Sequence, residues 1–130
     1  MITKMVKTDG RVQLVDITTL VREEIGRVNF SDGVVIVFVP HTTAGITINE
    51  NADPDVPHDL LMELNKVIPF NDGYRHMEGN SAAHIKASLI GSSVQVMVEQ
   101  GQLVLGTWQG IFFAEFDGPR QRKVLLKLMG

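Results

Sequence analysis

The chain contains no cysteine, which excludes disulfides, thiolate metal sites and cysteine nucleophiles. Aromatic residues are scarce: one tryptophan, one tyrosine and six phenylalanines in 130 residues. No apolar run approaches the roughly 20 residues that a membrane-spanning helix needs, so no membrane partner is expected. The opening Met1-Ile2-Thr3-Lys4-Met5-Val6 lacks the charged-then-apolar order of a signal peptide. The expected location is therefore cytoplasmic. Stock catalytic motifs are missing too: the chain has no GxxxxGK[ST], no GxGxxG and no HExxH. Excess positive charge is also absent. A formal net charge of −3 argues against nucleic acid as a partner, because neutralising phosphates takes a basic face.

What is present fits one soluble domain spanning 1–130. The apolar fraction of 44% and the charged fraction of 21% are ordinary for a globular protein. Ile2–Lys7 and Val12–Ile17 alternate around Asp9-Gly10, predicting a hairpin. Thr18 or Thr19 is expected to cap a helix to about Val28, with Leu20, Val21, Ile25 and Val28 inward. Val34–Val39, apolar at every position, predicts a strand covered on both faces, by a helix on one side and by a sheet or subunit on the other. Gly45–Asn51 reads as its partner strand. Helices are expected over Asp55–Val67 and Ala82–Ile90, the second stopped by Gly91. Strands follow at Val94–Val98, Leu103–Thr107, Ile111–Phe116 and Gln121–Leu128. Three helices among mainly antiparallel strands predict an α+β fold with a two-sheet β-sandwich.

Three polar groups interrupt these elements. Pro40 to Asp55 carries His41, Asn49, Glu50, Asn51, Asp53 and Asp55, and residues 28–65 hold six acids and no lysine or arginine. A cation, or a ligand bringing its own positive charge, suits such a segment. Turn and cap chemistry is the plain alternative, for Asp55 above all. The second group, Arg75 to His84, places His76, Glu78, Asn80 and His84 at a helix start. There the backbone N–H groups favour an anion, and a histidine is better neutral than charged. The third group is Gly106-Thr107-Trp108-Gln109-Gly110 with Glu115-Phe116-Asp117-Gly118-Pro119-Arg120. Trp108 can fill an interface or stack on a flat heterocycle. Glu115 interrupts a strongly apolar strand, and a buried carboxylate needs a partner; Arg120 and a metal are the two candidates. Histidines and carboxylates without thiolates favour zinc, manganese or magnesium.

Taken together, Pro40-His41-Thr42-Thr43-Ala44-Gly45-Ile46-Thr47-Ile48-Asn49-Glu50, Glu78-Gly79-Asn80-Ser81-Ala82-Ala83-His84-Ile85-Lys86, Leu105-Gly106-Thr107-Trp108-Gln109 and Glu115-Phe116-Asp117-Gly118-Pro119-Arg120 resemble the UPF0047 (YjbQ) family. His58 lies outside the pattern. The resemblance implies a two-sheet α+β sandwich assembled as a homotrimer. It also implies a weak thiamine-phosphate synthase activity, joining a hydroxymethylpyrimidine diphosphate to a thiazole phosphate with release of diphosphate.

With that chemistry in view, His41, His84 and Glu115 are the expected catalytic residues. Asn49, Asn80, Trp108, Gln109 and Arg120 are expected to bind substrate. Glu50, Asp53, His76 and His84 are the expected ligands of a divalent ion, Mg, Mn or Zn, that would neutralise the departing diphosphate. The expected partner is a small phosphorylated ligand. Two other readings stand beside the synthase: a trimeric binding or sensor protein without turnover, and a metal-dependent hydrolase.

Overall fold

The computed structural model describes residues 1–130. The elements are β1 (Ile2–Lys7), β2 (Gln13–Asp16), α1 (Thr18–Arg27), β3 (Gly33–Phe38), β4 (Ala44–Glu50), α2 (Asp55–Val67), α3 (Ser81–Ile90), β5 (Ser93–Glu99), β6 (Gln102–Leu103), β7 (Gln109–Glu115) and β8 (Gln121–Met129). A five-stranded sheet has the order β1-β8-β3-β5-β6, and a three-stranded sheet the order β2-β7-β4. Every pair is antiparallel. Element types and order are those expected, and the α+β class holds with three helices and two sheets.

The two sheets enclose one core. Val6, Val35, Val37, Val96, Val98, Val124 and Leu126 of the large sheet meet Ala44, Ile46, Ile111 and Phe113 of the small one, together with Val21 and Ile25 of α1. Successive strand residues point to opposite faces. Ala114 of β7 and Phe116 just beyond it therefore face away from that core, where Ala83 and Ala87 of α3 cover them, with Leu61 and Leu64 of α2 alongside. So β7 is the strand covered on both faces, which accounts for its unbroken apolar run. Val34–Val39 carries the same pattern for a different reason. Only Val35, Val37 and Val39 are buried, no helix lies over the outer face, and Phe38 is 40% exposed.

Pairing is where expectation and structure part. β1 and β2 do not form a hairpin; β1 pairs with β8 and β2 with β7. The chain uses Asp9-Gly10 to step from one sheet to the other, and it steps back through 116–120. The two steps are tied by Thr8 N donating to Arg120 O at 2.9 Å and Gly118 N donating to Arg11 O at 3.0 Å. A side chain at Gly118 would run into Gly10 O and Glu115 Cγ. β3 and β4 are likewise in different sheets.

Smaller departures have local causes. Thr18 is not the N-cap of α1; Asp16 Oδ1 accepts from Thr18 N at 2.9 Å and from its hydroxyl at 2.6 Å. Thr18 Oγ1 in turn accepts from Ile111 N at 2.9 Å, tying α1 to β7. Val28, expected inward, is exposed past the end of α1. β6 is two residues rather than five, because Leu105 N turns back onto Leu103 O at 3.1 Å directly after it.

Candidate functional site

The site-forming corner lies where the sheets join. Glu115 is the last residue of β7, is wholly buried, and pairs across with Ala44. Arg122, second in β8, lies on the same face as Val124 and Leu126, so it points inward. Its Nε donates to Glu115 Oε1 at 2.9 Å and to Oε2 at 3.1 Å, and Nη2 also donates to Oε2. Thr8 Oγ1 donates to Glu115 Oε1 at 2.8 Å, and the Asp117 amide donates to Oε2 at 3.1 Å. Burial pushes the carboxyl pKa up, but these donors outweigh it and hold Glu115 below its ordinary value.

The expected partner of Glu115 was Arg120 or a metal. The structure corrects this: Arg122 is the partner, while Arg120 Nη2 donates to Asp117 Oδ2 at 3.0 Å. Arg122 is the functional residue that sequence reasoning missed. The strand alternation of Arg122 with Val124 and Leu126 carried the information, since an inward arginine requires an inward acid.

Arg122 also sets the neighbouring loop. Its Nη2 donates to Thr43 Oγ1 at 2.9 Å and to Thr43 O at 3.3 Å. Two residues earlier, His41 Nε2 accepts from the Lys123 amide at 2.9 Å. A ring nitrogen that accepts cannot carry a proton, so neutral His41 holds its proton on Nδ1. Burial lowers the His41 pKa, and the Arg122 charge lowers it further against an opposing pull from Glu115. The Lys123 amide needs an unprotonated Nε2 to accept its hydrogen bond. His41 is thus built to be neutral.

His41 faces His84 across a cavity of about 350 Å³ lined also by Thr42, Ala44, Ala87, Ser88, Gly91 and Ser92. The cavity exists because β4 and α3 approach closely at one end. Ile46 N donates to Gly91 O at 3.0 Å, and a Cβ on Gly45 would sit 2.6 Å from that same oxygen. At the head of α3, Asn80 Nδ2 donates to Asp117 Oδ2 at 3.0 Å, the oxygen that Arg120 also holds. Asn80 and Arg120 are therefore brought together through Asp117. Asn80 makes no side-chain cap to its own helix, and its Oδ1 is buried without a partner.

The remaining expected residues lie elsewhere. Glu50 pairs with Gln109 and Ala44 with Glu115, at opposite ends of β4; six residue steps separate them, about 20 Å in a strand. Asn49, Glu50, Trp108 and Gln109 thus gather at the far end of the small sheet. There Asn51 N donates to Trp108 O at 3.0 Å, Asn49 Oδ1 accepts from Glu50 N at 2.7 Å, and the Gln109 side chain is committed to Gly106. Trp108 is 63% exposed. Asp53, just past that end, accepts from Asp55 N at 2.9 Å in a turn that opens α2. His76 stays with His84, the ring centroids 5.3 Å apart and edge-on at 89°. The expected ligands Glu50, Asp53, His76 and His84 are consequently divided, and no three His, Asp or Glu side chains are gathered as a metal set.

A family model described as UPF0047 protein YjbQ-like matches residues 3–130. The chain is similar to UPF0047 protein MJ1081 of Methanocaldococcus jannaschii, 54% identical over 96% of this chain and 91% of that protein. It is also similar to UPF0047 protein YugU of Bacillus subtilis, 51% identical over 98% of each. The crystal structure of an uncharacterized YjbQ/UPF0047-family protein from Clostridium acetobutylicum superposes with a TM-score of 0.97 at 58% identity. It covers 99% of this chain and 100% of that one.

Proposed function

The chain belongs to the UPF0047 YjbQ-like family, and from that premise we propose that the His41–His84 cavity binds a small phosphorylated ligand and turns it over. The reaction proposed is the joining of a hydroxymethylpyrimidine diphosphate to a thiazole phosphate with release of diphosphate. One observation supports this reading above the rest: two histidines line the same cavity in unlike states. His41 is locked as a neutral Nδ1–H donor by the Lys123 amide, whereas the His84 ring, half-buried and free of hydrogen bonds, can move a proton. Departing diphosphate needs neutralising charge. Arg120 lies outside the cavity lining, but Asp117 ties it to Asn80, one helical turn before His84, and in this reading its guanidinium leaves Asp117 for the diphosphate.

The divided ligand set does not fit a protein-held ion, so no step is assigned to one. Magnesium belongs in the assay because diphosphate oxygens carry it with few protein ligands. Glu115 takes a positioning role in this reading, because Arg122 and Thr8 occupy its oxygens. The test is formation of thiamine phosphate from the two precursors with magnesium, at a rate lost in His84→Ala. Absence of product, with binding of either precursor retained, would favour the second reading, a binding protein without turnover. The occupied carboxylate of Glu115, which leaves the cavity few reactive groups, favours that alternative.

The assembly proposed is a homotrimer. The outer face of the large sheet presents Phe38, Met97 and Met129 beside Lys123 and Lys127. The open side of α2 presents Val56, Leu60 and Val67 beside Asp59 and Glu63. An apolar basic face and an apolar acidic face on one chain suit head-to-tail contact that closes as a ring. Sedimentation at working concentration tests it; a monomer would remove it.

A further inference from the structure

His84 lines two cavities. On its other side lies a cavity of about 310 Å³ lined by Tyr74, Arg75, His76, Ser81 and Ile85. We propose that this second cavity is an anion subsite that takes the phosphoryl or diphosphate group of a second ligand, with Arg75, His76 and Ser81 as its donors. The inference rests on the ligand-binding reading of the His41–His84 cavity and assigns it a neighbour.

The lining residues carry the case. Arg75 is the only permanently charged group that borders either cavity, and its guanidinium makes no ion pair or hydrogen bond within the chain. A free planar guanidinium matches phosphate oxygens two at a time. The Ser81 hydroxyl is likewise uncommitted. His76 stands edge-on to His84, so the two rings form one continuous wall. The Tyr74 hydroxyl is not a donor to the cavity; it donates to Pro69 O at 2.7 Å and fixes the loop that carries Arg75 and His76. No carboxylate lines the space. One acid approaches a lining residue: Glu78 Oε2 lies 3.9 Å from His76 Nε2. That pair is largely exposed and therefore weak, so an incoming anion can displace it. A volume near the bottom of the usual ligand-pocket range of roughly 300–1,000 Å³ suits a phosphoryl group with part of its carrier rather than a whole nucleotide. With His84 as the shared wall, two ligands would meet at one imidazole.

The experiment uses the full-length, isotopically labelled protein, titrated with inorganic phosphate and with pyrophosphate at constant pH and ionic strength. Imidazole resonances of all four histidines are followed. His76 and His84 should shift saturably, while exposed His58 stays still. Arg75→Gln should weaken phosphate binding roughly tenfold to a hundredfold, as expected for losing hydrogen bonds to a charged group. Arg22→Gln, on α1, should leave it unchanged. Three outcomes would overturn the proposal: no saturable shift up to tens of millimolar phosphate, shifts centred on His41 alone, or equal affinity in Arg75→Gln and Arg22→Gln. Failure here is separable from failure of the synthase reading. Arg75-dependent phosphate binding without thiamine phosphate formation keeps the subsite and removes the reaction. Turnover with an unchanged KM in Arg75→Gln keeps the reaction and removes the subsite.

Discussion

Arg122 and Glu115 stand seven residues apart in sequence and in different sheets, yet the guanidinium closes on the carboxylate inside the joint between those sheets. The pair bridges the two layers, and its spare hydrogen bonds reach Thr43, two residues from His41. Fold and site therefore share one polar anchor.

Removing one partner leaves a buried charge uncompensated. Arg122→Ala or Glu115→Ala should each cost about 3–5 kcal/mol, read as a lower midpoint in urea unfolding. Arg122→Met combined with Glu115→Leu should recover much of that loss while leaving the His41 resonance displaced, because Thr43 has lost its donor. A single substitution that leaves the midpoint unmoved would contradict the anchor.

Acid should unlock the same joint. The Glu115 pKa is held below its ordinary value of 4.5, so the folded state binds this proton less readily than the unfolded chain. The contribution is fully present above 4.5 and is lost as pH falls through the lowered folded value. Glu115→Gln should show a shallower decline of stability below that pH than the parent; parallel declines would count against it.

His41 gives the opposite kind of reading, a local one. Its lowered pKa and its accepting Nε2 predict a neutral Nδ1–H tautomer at pH 7. Nitrogen chemical shifts of the ring should report that tautomer, with protonation only below its ordinary value of 6.5. Folding stability linked to this group is present above that pH and falls as pH drops through the lowered value. An Nε2–H tautomer at neutral pH would exclude the arrangement.

Lys86 is fully buried, with Nζ 2.6 Å from Asn65 Oδ1 and 4.3 Å from the centre of the Phe70 ring. Burial, then the charge of Arg11, lowers its pKa. The unfolded chain therefore binds this proton more readily, and stability should rise as pH climbs from the lowered value towards 10.5. Comparing unfolding free energies of the parent and Lys86→Met across alkaline pH isolates the effect. Identical slopes would show that the ammonium is not destabilised by its surroundings.

Gly45 tests the wall between β4 and α3. A methyl group there meets Gly91 O at 2.6 Å, a backbone atom that cannot rotate away. Gly45→Ala should cost about 1–3 kcal/mol, as overpacking does, and should shift the resonances of both His41 and His84. Wild-type stability in this variant would mean that β4 and α3 can separate freely.

Elements were legible in the sequence because periodicity is local; pairings were not. Asp9-Gly10 carries every mark of a hairpin turn, yet it serves a crossing between sheets, since β8 and β7 offer the better partners. Val34–Val39 and Ile111–Phe116 look equally buried, but only the second is covered on both sides. His41 with His84, and Asn80 with Arg120, were legible as parts of one region. Glu50, Asp53, Trp108 and Gln109 were not separable from them, because a strand's two ends are neighbours in sequence while standing about 20 Å apart in space. Arg122 went unread because, beside Arg120, Lys123 and Lys127 in a stretch with no acid, one more charge looks like solvated surface until its strand face is known.

The position of β8 has a consequence for how the protein is made. It is the last strand in chain order, yet it lies between β1 and β3, and β1 has no other partner. During synthesis the first strand must wait, unpaired, until residues 121–129 have emerged. The large sheet then closes at the end rather than growing outward. Long-range closure of this kind slows folding, and a ribosome-stalled or C-terminally clipped chain would expose a split sheet with two raw edges. Such a chain is the form in which this protein should be most prone to aggregate.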